Sequence, residues 1–100
     1  MNESSCCRKK ALPRSQDQRK RLIHRLNRLE GQIRGIRGMV ENDVYCNDIL
    51  IQCAAANAAL NAFQRELLAD HIRTCVADEL RAGKDEVVDE LLTTMQKMMK

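Results

Sequence analysis

Apolar residues recur along the chain at alternating steps of four and three. Leu22, Leu26, Leu29, Ile33, Ile36 and Val40 form one such seam, the a/d pattern of a helix that packs along one side. Ile49, Cys53, Ala56, Leu60, Phe63 and Leu67 form a second, and Cys46 extends it backwards. Val88, Leu91, Leu92, Met95 and Met99 make a short third. The punctuation agrees with these seams. Ser15 and Gln18 match a capping box, so a helix should start near Gln16. Glu41-Asn42-Asp43 breaks it, with Asp43 placed to cap the next helix. Neither proline nor glycine interrupts Tyr45 to Leu80, which reads as one helix, and Gly83 is a natural stop. The pattern predicts an all-α fold with a three-helix protomer, two helices long and the C-terminal one short.

Residues 1–14 fall outside the pattern. They are polar and basic, broken at Pro13, and read as a flexible basic tail. Residues 15–100 read as a single helical domain. One hundred residues with one Phe, one Tyr and no Trp must build an aliphatic core of modest size. An obligate oligomer would supply the missing burial. Gly31 and Gly35, four apart on the first helix, fit a close helix contact. No run of about 18 apolar residues is present to cross a membrane. The N-terminal stretch has no apolar run of the signal-peptide kind. Five cysteines without such a signal point to reduced thiols in a cytoplasm.

Charge is unevenly spread. Residues 1–40 carry 11 Lys and Arg against Glu3, Asp17 and Glu30, whereas residues 41–100 carry 6 against 11 acidic residues. A basic front half suggests an anionic partner. Arg21, Arg25 and Arg28 run as a stripe beside the first seam, with Arg14 and Arg34 as possible extensions. Such a stripe either contacts phosphates or is a solvated helix face. Helix-turn-helix and zinc-finger patterns are missing, so duplex binding would use a broad oligomer face. The scarcity of aromatics argues against stacking on single strands.

The sharpest chemistry lies in Cys46, His71 and Cys75. His71 and Cys75 are four apart and share a helix face. Cys46 and His71 are 25 positions apart, roughly 37 Å along a straight helix at 1.5 Å per residue. One chain does not easily unite the three, but two antiparallel copies crossing near Ala59 do. The run Ala54, Ala55, Ala56, Ala58, Ala59, Ala62 allows that close approach. Two thiolates and an imidazole form a soft, low-coordinate set that suits Cu(I), whereas structural zinc asks for a fourth ligand. A Cys–His catalytic pair lacks a nucleophile turn and a cleft, so no enzymatic activity is expected. Cys53 reads as a small core residue, His24 as a surface or DNA-facing side chain, and Met95, Met98 and Met99 as packing. Cys6-Cys7 is either an incidental pair or a soft-metal or redox pair on the tail.

The stretches RLNRLEGQIRGIRGMVENDVYCNDIL, HIRTC and DELL, within Arg19 to Lys100, resemble the copper-sensing operon repressor (CsoR) family of bacterial transcription regulators. The resemblance implies a homotetramer, an antiparallel helical-bundle dimer assembled as a dimer of dimers. It also implies a metal-free form that binds double-stranded operator DNA and releases it on binding Cu(I), derepressing copper efflux and handling genes. On that resemblance Cys46 of one protomer and His71 and Cys75 of the other match the Cu(I) ligands. Tyr45 and Glu90 match outer positions that link the histidine to the DNA-binding state. Arg25 matches an operator-binding arginine, with Arg21 and Arg28 flanking it. The family's nickel/cobalt branch has His where Cys75 stands, its persulfide branch lacks a histidine at position 71, and its formaldehyde branch has proline where Asn2 stands; all three comparisons favour copper. The resemblance departs at Ala62, where some members carry a DNA-contacting arginine. A copper chaperone is a conceivable further partner. Two other readings stay open: a thiol-oxidation or persulfide-sensing repressor using Cys46 and Cys75, and a metal-binding helical oligomer without DNA binding.

Overall fold

The computed structural model describes residues 14–99, and these are helical apart from short connections, with no strand among them. Helix α1 spans Gln16–Glu41. It starts where the capping signal places it: the Ser15 hydroxyl accepts from the Gln18 amide at 3.1 Å, with Ser15 itself extended. Helix α2 spans Cys46–His71. A π-helical turn, Ile72–Val76, follows and leads directly into α3, Ala77–Arg81. Helix α4 spans Glu86–Met98. The run expected as one helix from Tyr45 to Leu80 is therefore helical from Cys46 on and widens once. At the widening the Ala77 amide reaches back five residues to the Ile72 carbonyl.

Two turns end their helices with the same hydrogen bonds. After α1, the Asp43 amide donates to the Val40 carbonyl at 3.2 Å and the Val44 amide to Met39 at 3.0 Å. After α3, the Gly83 amide donates to Leu80 at 3.0 Å and the Lys84 amide to Glu79 at 2.8 Å. Both are Schellman motifs, which require a left-handed residue at the turn. Gly83 supplies it with φ of 82°, and Asp43 supplies it with φ of 56° despite its side chain. Asp43 thus closes α1 and does not cap α2 as its position in the sequence suggested. The Asp48 and Ile49 amides in the first turn of α2 donate to the Tyr45 carbonyl, at 3.0 Å and 3.3 Å.

The described chain forms two compact units. The first, residues 14–67, is a hairpin of α1 and α2 folded back at residues 42–45. Its antiparallel sense is marked by contacts between Arg21 and Arg25 near the start of α1 and Glu66 near the end of α2. The first seam divides in two. Leu22 is buried and Leu29 and Ile36 are half-buried, joined by Gln32 and Met39. Leu26, Ile33 and Val40 stay exposed and, with Ile23, form an uncovered apolar flank. The seam of α2 is covered at Ile49, Cys53, Ala56, Phe63 and Leu67, while Leu60 is exposed. The second unit holds the rest, from Leu68 on. Its buried residues are Cys75, Val76, Glu79 and Val87, with Leu91 and Met95 half-buried. Val87 takes the inward place expected for Val88, and Val88, Leu92 and Met99 are exposed. No helix among the described residues is long and apolar enough to cross a membrane.

Candidate metal centre and nucleic-acid interface

His71 is the last residue of α2 and Cys75 lies inside the π turn, so the widening falls between the two expected donors. Their spacing of four keeps them on adjoining turns of the same side. Cys75 is 1% exposed, the most deeply withdrawn side chain described, and it forms no disulfide. The neighbouring Thr74 hydroxyl donates to the Asp70 carbonyl at 2.8 Å and lies 3.7 Å from the Cys75 sulfur. That back-bond is a known way for threonine to bend a helix. Beside His71, the Asp70 carboxylate has one oxygen 3.5 Å from Arg73 and the other buried without a hydrogen-bond partner among the described residues. His71 itself is half-buried.

Cys46 is the first residue of α2 and is exposed with a free thiol. Tyr45, just ahead of it, is exposed as well, and so is Glu90 on α4. Among the described residues no three or more His, Cys, Asp or Glu side chains gather as a cage for a metal ion. The candidate donors are thus a His71–Cys75 pair and an accessible Cys46. Their chemistry, two thiols and an imidazole without a carboxylate, fits a soft ion such as Cu(I) better than a hard one. Cys53 is half-buried in the α2 seam and His24 is exposed. Cys6-Cys7 lies outside the described residues.

Arg21, Arg25 and Arg28 are all exposed on one side of α1, at steps of four and three. Two of them are engaged. Arg21 Nε donates to Glu66 Oε2 at 2.7 Å and Arg25 Nε to Glu66 Oε1 at 2.6 Å. These hydrogen bonds, that of Arg21 first and that of Arg25 second, hold the Glu66 carboxyl below its ordinary pKa and keep it ionised.

Glu66 and the π turn escaped the reading from sequence, though both left traces. A chain folded back at residues 42–45 brings position 66 opposite position 21, so a carboxylate there faces the arginine stripe. At the π turn, Ile72, Thr74 and Val76 are β-branched at every second position, which weakens regular α-helix.

Known proteins share this sequence pattern and fold. The family of metal-sensitive transcriptional repressors matches residues 18–97. The chain is 44% identical over 88 residues to the copper-sensing transcriptional repressor CsoR of Bacillus subtilis, covering 87% of each protein. It is 44% identical over 59 residues to the copper-sensing transcriptional repressor RicR of Mycobacterium tuberculosis, covering 59% of this chain and 62% of that protein. The crystal structure of the copper-sensing repressor CsoR with Cu(I) from Geobacillus thermodenitrificans superposes with a TM-score of 0.82 at 39% identity, covering 89% of this chain and 94% of that one.

Proposed function

Because the chain belongs to the metal-sensitive transcriptional repressor family, we propose that it is a Cu(I)-responsive repressor rather than an enzyme. Its metal-free form holds double-stranded operator DNA, and Cu(I) binding releases it, derepressing genes of copper efflux and handling. The observation that carries this reading is the His71–Cys75 pair. An imidazole and a deeply buried thiol stand on adjoining turns of a fold shared with a Cu(I)-bearing repressor.

In this proposal His71 and Cys75 of one protomer and Cys46 of its partner hold the ion. The exposure of Cys46 suits a donor that serves a neighbouring chain. The uncovered apolar flanks, Ile23, Leu26, Ile33 and Val40 on α1 with Leu50 and Ile51 on α2, support burial against further copies. A homodimer paired into a homotetramer is the assembly we infer. Bound copper supplies a soft positive centre that keeps both thiols deprotonated. The chain's own part is to hold the His71 ring and to link it, through Tyr45 and Glu90, to the arrangement of the arginines. Arg21, Arg25 and Arg28 present the positive charge that meets DNA phosphates. Residues 15–100 act as one sensing and DNA-binding domain, working in the cytoplasm. A copper chaperone, the further partner considered above, finds no support in the relatives and is left out of the proposal.

The test is an anaerobic titration of reduced protein on a labelled fragment of its own promoter, followed by anisotropy. Cu(I), Ni(II), Zn(II) and a persulfide donor are added separately. Release by Cu(I) alone, near one equivalent per protomer, is the expected result. Release only by the persulfide donor would select a thiol sensor acting through Cys46 and Cys75. Absence of DNA binding at low salt would leave a metal-binding helical oligomer.

A further inference from the structure

The candidate DNA face contains its own competitor. Each oxygen of the Glu66 carboxylate takes one guanidinium, Arg21 at 2.7 Å and Arg25 at 2.6 Å. The Glu66 side chain is only 18% exposed, whereas Arg21 and Arg25 are 56% and 45% exposed. The carboxylate is therefore seated in the hairpin and the arginines reach over it from the surface. Arginine grips a phosphate best through a fork of two N–H groups. In both arginines the Nε–H is spent on Glu66, so a two-pronged grip that uses Nε is closed. Two positive charges and one negative also present a phosphate with less attraction than two free guanidinium groups.

We propose that Glu66 competes with DNA phosphates for Arg21 and Arg25, and so sets how tightly the metal-free protein holds DNA. The inference rests on the DNA-binding reading above and adds a residue to it. Glu66 lowers affinity by design, keeping the grip weak enough for an allosteric signal to break. A phosphate takes the Nε edge of Arg21 or Arg25 only by drawing the guanidinium away from the carboxylate.

Glu66→Gln tests this, because it removes the charge and keeps the shape. Glu30→Gln is the control. It removes one charge from α1 at a residue 3.8 Å from Arg34, with both side chains 69% exposed, and leaves Arg21 and Arg25 untouched. With circular dichroism showing both variants folded, Glu66→Gln should bind the promoter fragment at least fivefold tighter than wild type at low salt. Glu30→Gln should change affinity less than twofold. The log–log salt slope of Glu66→Gln should steepen by about one to two, at about 0.9 for each phosphate newly neutralised. In an Arg21→Ala/Arg25→Ala background Glu66→Gln should add nothing. Weaker binding by Glu66→Gln would make Glu66 a positioning residue and overturn the proposal, as would a gain no larger than that of Glu30→Gln. Retention on heparin separates this inference from the one beneath it. A wild type that ignores its promoter removes the DNA reading, yet later elution of Glu66→Gln than of Glu30→Gln would still support competition for the arginines. Equal elution of the two would sink it.

Discussion

At the π turn the thiol is withdrawn from water: Cys75 is 1% exposed. At Arg21, Arg25 and Glu66 the charges are partly exposed and already satisfied by one another. The difference teaches how each region can respond. A buried soft donor discriminates by identity, since a hard ion gains little from sulfur and imidazole. A surface cluster of charges discriminates hardly at all, and its strength is set by salt, by pH and by which anion arrives. In the function proposed above, the first kind recognises and the second lets go.

The comparison breaks most sharply at Cys75. Cys75→Ser keeps the shape but removes the thiolate, and Cu(I) affinity should fall at least a hundredfold, beyond the 10–100-fold typical of losing an outer partner. Competition against a chromogenic Cu(I) chelator measures it, and near-wild-type affinity would remove Cys75 from the site. His71→Ala should be milder in binding and severe in response. Copper stays on the thiolates, but the coupling to DNA, about 1–3 kcal/mol in typical allosteric systems, should largely vanish. Equal DNA release by this variant and wild type would deny His71 its role.

The two Schellman turns give a smaller effect of opposite signs. Nothing lies within 4 Å of a Cβ built on Gly83, so the cost of Gly83→Ala is torsional, about 1 kcal/mol for an alanine held left-handed. Asp43→Gly removes that strain but loosens the unfolded chain, for a net gain of about 0.5 kcal/mol. Thermal unfolding at one fixed protein concentration reads both, and a destabilised Asp43→Gly would mean that the aspartate side chain does more than tolerate the turn. The smallest effect belongs to acid. Arg21 and Arg25 lower the Glu66 pKa in the folded state. The stability from this cluster is therefore complete above the ordinary carboxylate range and fades as pH falls through the lowered value. Wild type and Glu66→Gln should converge in stability there, and also at high salt. A difference that persists at low pH would mean that the pairing is not its source.

Much of the architecture is visible in residue spacing. Ser15 and Gly83 mark helix ends because capping chemistry is local, and the α2 seam from Ile49 to Leu67 follows from periodicity alone. The π turn was hidden because its hydrogen bonds differ from those of an α-helix by one residue, and His71 and Cys75 remain neighbours in either. The seam of α1 named the right residues without saying which are covered. Apolar groups that are covered within the chain and apolar groups left on its surface are written in one alphabet. Leu22 and Ile33 therefore look alike in sequence, though one is buried and the other exposed. The candidate ligands were legible because sulfur and imidazole are rare and their spacing is informative. Glu66 was not, because one carboxylate among 14 acidic residues gains meaning only once the hairpin is folded.

The π turn also bears on which changes in length the chain tolerates. It holds one residue more than an α-helix making the same turn would need. Losing any single residue between Ile72 and Val76 would let the backbone relax into regular α-helix. The face offered by α3 would keep its direction while the donor side chain at 75 changed place. A gain of one residue elsewhere in α2 has no such slack and would turn everything after it by about 100°. Ile72–Val76 is thus the place in this stretch where the chain can lose a residue at least cost to the helices around it.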